Sequence, residues 1–369
     1  MSLNIGIIGL PDSGRTTIFN ALTGSEVATG GYTGEGSVAP HIGTAQVPDQ
    51  RLTVLADIFY PDKVTPASVT FIDIGASLKD VVEGKGLSGR LLHQISNLDV
   101  LINVVRAFSD DSIPHIEGSL DTERDIANMN LELTFSDLAL LERRLLRIEA
   151  TLKAAKPAER SSLLREQGLI ERVKADLEKD MPVRDMTLTE EETRALSGYQ
   201  LLSAKPLLIV INIGERQLSQ DESLAVELSS RYTRPKCQVT TACAGLEMEF
   251  SQLDDIAAEE LRSEYGMEEP GSNLVIRLSY HLLGLISFFT VGSDEVKAWS
   301  IQSGTDAIKA AGKIHSDIER GFIRAEVITY EDMVKCGTLT EARKKGLLRL
   351  EGKSYTVQDG DIINFLFNV

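Results

Sequence analysis

The run GLPDSGRTT at residues 9–17 places two glycines five positions apart, followed by a cation and two hydroxyls. This is the phosphate-cradling pattern G-x-x-x-x-G-K-[ST], with Arg15 standing where lysine is expected. Glycines let successive backbone N–H groups curl around a phosphate. A helix opening at Arg15 adds the positive end of its dipole, and Thr16 can give its hydroxyl to Mg²⁺. The nucleotide contacts expected here are Gly9, Asp12, Ser13, Gly14, Arg15, Thr16 and Thr17. Arg15 keeps the charge, but a planar fork is not a compact point charge. An ordinary glycine turn is the plain alternative.

Two further spots carry matching chemistry. Asp73 ends an apolar run and opens DIGA, where nucleotide switches carry D-x-x-G. In that motif the carboxylate orders Mg²⁺ through water and the glycine N–H reaches the last phosphate. Ala76 holds the glycine position here, with Gly75 just before it. Asn212-Ile213-Gly214-Glu215 follows the apolar run 207–211, where guanine-binding proteins carry N-K-x-D. A glutamate is one methylene longer than the aspartate that grips guanine N1 and N2, and adenine lacks those donors. Asn212, Ile213 and Glu215 are therefore expected at the base, with a preference leaning away from guanine. Alone, either spot also reads as a capping turn after a strand. No residue stands out as a general base, which phosphoryl transfer tolerates because it rests on positioning and charge. His315 and Asp317 lack a third metal ligand nearby, Cys243 reads as a small buried apolar group, and Trp299 reads as core.

These groups need strands that end beside one another. Asn4–Ile8, Val69–Ile72, Val100–Val105 and Leu207–Ile211 read as buried strands, and Thr16–Thr23 as a helix stopping at Gly24. Strands alternating with helices predict an α/β fold with a largely parallel sheet. Residues 24–50, with six glycines, read as a loop. Leu138, Leu141, Leu145, Ile148 and Leu152 repeat at 3-4 spacing, Pro157 interrupts, and Leu163, Ile170, Val173 and Leu177 take up the seam. That pattern predicts an antiparallel helical hairpin with coiled-coil packing, inserted before the strand at 207. Its residues 132–185 hold 11 acids and 11 bases. From about 284 the chain reads as a small α+β module, with strands such as Val296–Ile301 and Ile362–Phe367.

The length of 369 residues suits two or three domains. Hydrophobic content of 42% and charged content of 25% are those of a globular protein. No apolar run is long enough for a bilayer, so no membrane partner is expected. With no leader pattern and three unpaired-looking cysteines, the expectation is a cytoplasmic monomer. A net charge of −17 argues against a general nucleic-acid coat. The last 86 residues are nearly neutral, with a basic cluster at Arg343, Lys344, Lys345, Arg349 and Lys353 that could face RNA or merely solvate a helix.

Taken together, GLPDSGRTTIFNALT (9–23), RLLHQISNLDVLINVVRAF (90–108), RDIANMNLELTFSDLALLERRL (124–145), VKAWSIQSGTDAIKAAGKIHSDIERGFIRAEVITYED (296–332) and YTVQDGDIINFLFNV (355–369) resemble the Obg-like ATPases, the YchF family of translation-factor P-loop GTPases. The resemblance spans nearly the whole chain. It implies a P-loop G domain, an inserted helical coiled-coil and a C-terminal TGS module of β-grasp fold. The parts would be 1–125 and 201–283 for the G domain, 126–200 for the insertion and 284–369 for TGS. It also implies binding and slow hydrolysis of ATP, with GTP sometimes accepted, and association with the ribosome; the charge distribution makes the TGS module the part expected to meet ribosome or RNA. Mg²⁺ would be held by Thr16, Ser37 and Asp73. The chain departs from the family at the phosphate end: Arg15 for lysine, Ala76 for glycine, Ser77 for the following leucine and Ser37 for the switch threonine. Base-reading positions are kept while phosphate-sensing ones drift, so the rival expectation is a binding or scaffold protein without hydrolysis.

Overall fold

The computed structural model describes residues 4–28, 40–74, 95–267 and 269–368. Strand β1 (Asn4–Ile8) is short and almost wholly buried, and runs through a tight loop into helix α1 (Arg15–Thr23), which stops at Gly24 in the left-handed conformation. Beside it stand β2 (His41–Gln46), β4 (Ser68–Asp73), β5 (Val100–Arg106), β6 (Leu207–Asn212) and β7 (Cys237–Ala242). The sheet order is β2-β4-β1-β5-β6-β7, and each pair from β4 to β7 is parallel. Every position of β5 and β6 is buried, which is why they read as unbroken apolar runs rather than alternating ones. Helices α6 (Asp221–Tyr232), α7 (Ala244–Phe250), α8 (Asp255–Glu264) and α9 (Gly271–Leu282) follow or separate the later strands. Strand β2 lies inside the stretch 24–50 that reads as loop; its six residues carry two glycine-or-alanine positions and only one large aliphatic side chain, too weak a signal for a strand.

Two long helices interrupt this unit. Helix α3 (Thr122–Leu152) is capped by Asp121, whose side chain accepts from Arg124 N, and α4 (Pro157–Leu177) opens with proline at its first turn. Ion pairs Arg144–Glu166 at 2.6 Å and Lys174–Glu142 at 2.8 Å rise in number on one helix as they fall on the other, so the helices are antiparallel. Leu141, Ile148, Ile170, Val173 and Leu177 are fully buried between them, with Leu138, Leu145, Leu152 and Leu163 packed alongside. The seam read from spacing is therefore the seam observed. Helix α5 (Glu190–Ser197) closes this region with a reciprocal cap between Thr189 and Glu192.

The root of the hairpin is polar and buried. Asp137 accepts from the backbone N–H of Leu202 at 2.7 Å and Ser203 at 2.8 Å. Arg184 donates to Asn130 Oδ1 at 2.6 Å, and Lys205 Nζ donates to the carbonyls of Ser96 and Leu98. Burial pushes the Asp137 carboxyl up to about 6 against the pull of its N–H donors, and lowers Lys205.

The chain divides into two compact units, residues 1–43 with 70–275 and residues 44–69 with 276–369. In the second unit, β3 (Lys63–Thr65), β8 (Leu285–Val291), β9 (Glu295–Gln302), β10 (Phe322–Thr329), β11 (Arg349–Glu351) and β12 (Asp361–Phe367) form a sheet ordered β11-β10-β12-β8-β9-β3. Helices α10 (Ala307–Ile314) and α11 (Ser316–Arg320) lie between β9 and β10, and α12 (Tyr330–Cys336) and α13 (Leu339–Lys344) between β10 and β11. Phe288, Phe322, Val327, Ile363 and Phe365 form its core, with Trp299 packed against it. Residues 44–69, which the sequence reading keeps with 1–125, belong here for a physical reason. Strand β3 pairs in parallel with β9, Thr65 Oγ1 donates to Glu295 at 2.5 Å, and Arg51 of helix α2 (Gln50–Phe59) grips Asp359 at 2.8 Å. Among the described residues no helix is long and apolar enough to cross a membrane.

Candidate functional site

The strand register gathers the expected groups at the carboxyl ends of the first sheet. Ile7 of β1 pairs with Asp73 of β4, Arg106 of β5 with Asn212 of β6, and Asn212 with Ala242 of β7. In open α/β sheets that edge is where ligands sit.

The loop 9–14 is shaped for close backbone approach. A Cβ at Gly9 would lie 2.5 Å from the carbonyl of Val104, and one at Gly14 would lie 2.2 Å from Asn212 Nδ2. Gly14 has φ +91°, and Asp12 also takes the left-handed region at φ 58°. Helix α1 has no side chain capping its first turn, so the amides after Gly14 are left to an outside acceptor. Thr16 Oγ1 donates to Asp73 Oδ2 at 2.8 Å. Asp73 is fully buried, and its second oxygen, Oδ1, has no hydrogen-bond partner among the described residues; nor has Ser13 Oγ. A buried carboxylate oxygen left unpaired beside a hydroxyl is a hard-oxygen donor set that fits Mg²⁺.

Arg15 does not project outward. It is 9% exposed, and its Nη1 donates to the carbonyl of Ile74 at 2.7 Å, one residue past Asp73. The fork is thus spent at least partly on the chain that leaves β4. Thr17 is half-buried on α1.

Asn212 is a junction. Its Nδ2 donates to the carbonyl of Ser13 at 3.0 Å, and its Oδ1 accepts from Ala244 N at 3.1 Å. Its own carbonyl accepts from Ala107 and Phe108 N–H. One residue thereby ties the phosphate loop, the end of β5 and the start of α7. Ile213 is buried in the core behind it, Gly214 lies against Phe108, and Glu215 is exposed at the mouth of the next turn. Arg106 stacks its guanidinium 4.5 Å from the Phe108 ring centre. Cys243 is the small buried group that the sequence reading expects, whereas Phe108 and Ala244 escaped it. Their only signal is position, directly after β5 and β7 in the runs RAF and TTACAG.

Behind Ser13 sits a second polar group. His115 Nδ1 accepts from Glu117 N, which assigns the ring hydrogen to Nε2 and so to Asp125, 2.9 Å away. The other Asp125 oxygen takes the Arg124 fork. Nothing in the sequence spacing marks this cluster.

Ser37, Ala76 and Ser77, named above for the metal and the switch, lie outside the described residues. His315 caps α11 and stands exposed. Among the described residues no three metal-ligating side chains cluster. The C-terminal basic cluster is largely neutralised: Arg343 pairs with Glu326, Lys344 with Glu341, and Arg349 with Glu351.

Comparison with known proteins agrees with this geometry. Residues 4–136 match the family model described as 50S ribosome-binding GTPase, and residues 285–368 match the model for the C-terminal region of YchF GTPases, described as a protein of unknown function. The chain is 38% identical over 374 residues to the ribosome-binding ATPase YchF of Bacillus subtilis and 37% identical over 369 residues to that of Haemophilus influenzae, covering all of both chains in each case. A solved structure of the Schizosaccharomyces pombe YchF GTPase superposes with a TM-score of 0.85 at 29% identity, over 99% of this chain and 98% of that one.

Proposed function

The chain belongs to the YchF family, and from that premise we propose that it binds Mg-ATP at the carboxyl edge of its first sheet, hydrolyses it slowly, and associates with the ribosome in the cytoplasm. The observation that carries the reading is the Thr16–Asp73 contact at the uncapped start of α1, with Asp73 Oδ1 unpaired. In this assignment the amides of Asp12–Thr16 and the loop at Gly9 hold the phosphates, and Thr17 supports them from the first turn. Thr16 and Asp73, with Ser37, hold Mg²⁺, which when bound offsets charge on the phosphate oxygens. Asn212 keeps one amide hydrogen for the base, Ile213 backs it, and Glu215 at the mouth favours adenine over guanine. GTP is the weaker substrate.

The domain assignment follows. Residues 1–125 and 201–283, apart from 44–69, which pack with the second unit, form the G domain, 126–200 the inserted coiled coil, and 284–369 a TGS module of β-grasp type. That module is one RNA-facing surface, through Lys345 and Lys353. A second reading, a nucleotide-binding scaffold without hydrolysis, draws on one observation, the burial of the Arg15 fork against Ile74. Titration of the purified protein with ATP and GTP analogues, with and without Mg²⁺, followed by a turnover assay, separates the readings. Binding with turnover supports the first, binding without turnover the second, and absence of binding sinks both.

A further inference from the structure

Each of the two sheets ends on two edge strands, and three of the four are protected. Strand β7 has five of its six residues buried. Strand β3 is three residues long and carries Lys63, and β11 is three residues long and carries Arg349 and Glu351. Cover, short length and charge are the ordinary guards of an edge. Strand β2, HIGTAQ, has none of them: it runs six residues without an acid, a lysine, an arginine or a proline. Among the described residues no strand pairs with its outer side. Ile42, Thr44 and Gln46 are exposed along it, Ile42 by 66%. Gly43 and Ala45 point the other way: a Cβ at Gly43 would lie 2.7 Å from Thr23 Cγ2 of α1, and Ala45 is buried. The backbone follows the same alternation. Val47 N donates to the carbonyl of Ala67 at 2.8 Å, so the end of β2 lies beside the start of β4 and the two run antiparallel. Counting back in twos from Val47, Ala45 and Gly43 turn their N–H and C=O toward β4, and Ile42, Thr44 and Gln46 turn theirs outward.

We propose that β2 is a strand-addition site for an extended, basic segment of a partner protein. Main-chain groups supply the affinity, as they do wherever a peptide adds a strand to a sheet edge. Side chains supply the fit, because an incoming strand sets every second residue beside Ile42 and Thr44, which favour β-branched neighbours. The edge is already ordered: β2 rests on α1 through the Thr23–Gly43 approach, and the Phe19 and His41 rings lie 6.3 Å apart. A preformed edge lowers the ordering cost of binding. Charge chooses the occupant. Residues 24–62 hold five acids, Glu26, Glu35, Asp49, Asp57 and Asp62, and one base, Arg51. That base is spent on Asp49 and Asp359. In a chain of −17, a second copy would bring the same acids to the same edge and be repelled. A strand bearing lysine or arginine would be drawn in. The proposal goes beyond the nucleotide reading and stands without it.

The test uses the full chain and an array of labelled peptides of about nine residues, longer than β2 so that the register can adjust. The peptides alternate lysine or arginine with valine, isoleucine or threonine. Matched arrays carry glutamate in place of the basic residues, or proline at every third position. Affinity is read by fluorescence anisotropy. The best basic peptides should bind at least ~10-fold more tightly than any acidic counterpart, by a margin that narrows as salt screens the charges. The proline array should not bind, and bound basic peptide should slow amide exchange at Thr44 and Gln46. Two variants locate the edge. Ile42→Lys sets a guarding charge on it, and Thr44→Pro removes an N–H that β4 does not use, where an edge strand tolerates proline. Each should weaken the best peptide by about 10-fold, whereas Thr44→Val, which keeps the N–H, should not. Circular dichroism checks the fold of each variant, and Ile42→Lys with the exchange pattern carries the test if Thr44→Pro does not fold. No binding by the basic array, equal binding by the acidic one, or binding unchanged in folded Ile42→Lys would overturn the proposal. So would a concentration-dependent dimer in analytical ultracentrifugation that Ile42→Lys abolishes, which would give the edge to a second copy. ATP-analogue titration of the same samples tests the nucleotide reading separately.

Discussion

Replacing Asn212 by alanine separates a strut from a base reader. The side chain is 3% exposed and joins Ser13 O to Ala244 N, both in buried surroundings. Alanine leaves a backbone acceptor and a backbone donor without partners. Each such loss costs about 1–3 kcal/mol, so Asn212→Ala should destabilise the ligand-free protein by roughly 2–6 kcal/mol. Asn212→Asp is a sharper probe, because it keeps the acceptor for Ala244 but sets a carboxylate against the Ser13 carbonyl. It should cost at least as much as alanine at neutral pH and recover in part in acid. The assay is guanidinium unfolding followed by circular dichroism with no nucleotide present, then titration with an ATP analogue. If the ligand-free stability of Asn212→Ala stays within ~0.5 kcal/mol of wild type, the size of an ordinary surface change, the junction role is wrong. Asn212 would then act on the base alone.

Three further outcomes follow from the same geometry. ATP should bind the wild type at least as well as GTP, and Glu215→Asp should move the ratio toward GTP; a wild-type preference for GTP of tenfold, about 1.4 kcal/mol, contradicts the assignment of that position. Arg15→Lys gives up the contact with Ile74 and should raise nucleotide affinity or turnover; unchanged binding and turnover, even with Ala76→Gly added, would mean that Arg15 is fully accommodated or that activity was lost elsewhere. Asp137 has a folded-state value of about 6, above its ordinary 3.8, so the native state holds the proton more tightly between those values. Its contribution to stability is therefore present below about pH 4 and is lost as pH rises toward 6, by about 3 kcal/mol in all. Unfolding measured in steps from pH 4 to 7 should show this slope in the wild type and not in Asp137→Asn; equal slopes refute it.

What was legible in the sequence was local. The phosphate loop, Asp73 and Asn212 each sit within a few residues of an apolar run, and parallel pairing brings those run ends together without further information. The hairpin seam was legible because its spacing is its packing. Two things were not. Strand β3 is three residues whose partner, Glu295–Lys297, lies 232 positions on, and no short-range pattern encodes such a pairing. The Asn212 junction depends on a side chain crossing between strands, which only register reveals.

The same β3–β9 pairing has a consequence for how the chain is born. Lys63–Thr65 leaves the ribosome long before Glu295–Lys297 has been made. At about 5–20 residues per second, the 232 positions from one to the other take on the order of 10–50 s to synthesise. Through that interval β1 and β4 can pair, since the chain between them is already complete, but Arg51 has no Asp359 and β3 has no neighbour in its sheet. The early segment must therefore wait as an unpaired edge, held off from other chains by Lys63 and the acids around it. The second unit can close only when its last strand, Asp361–Phe367, is released.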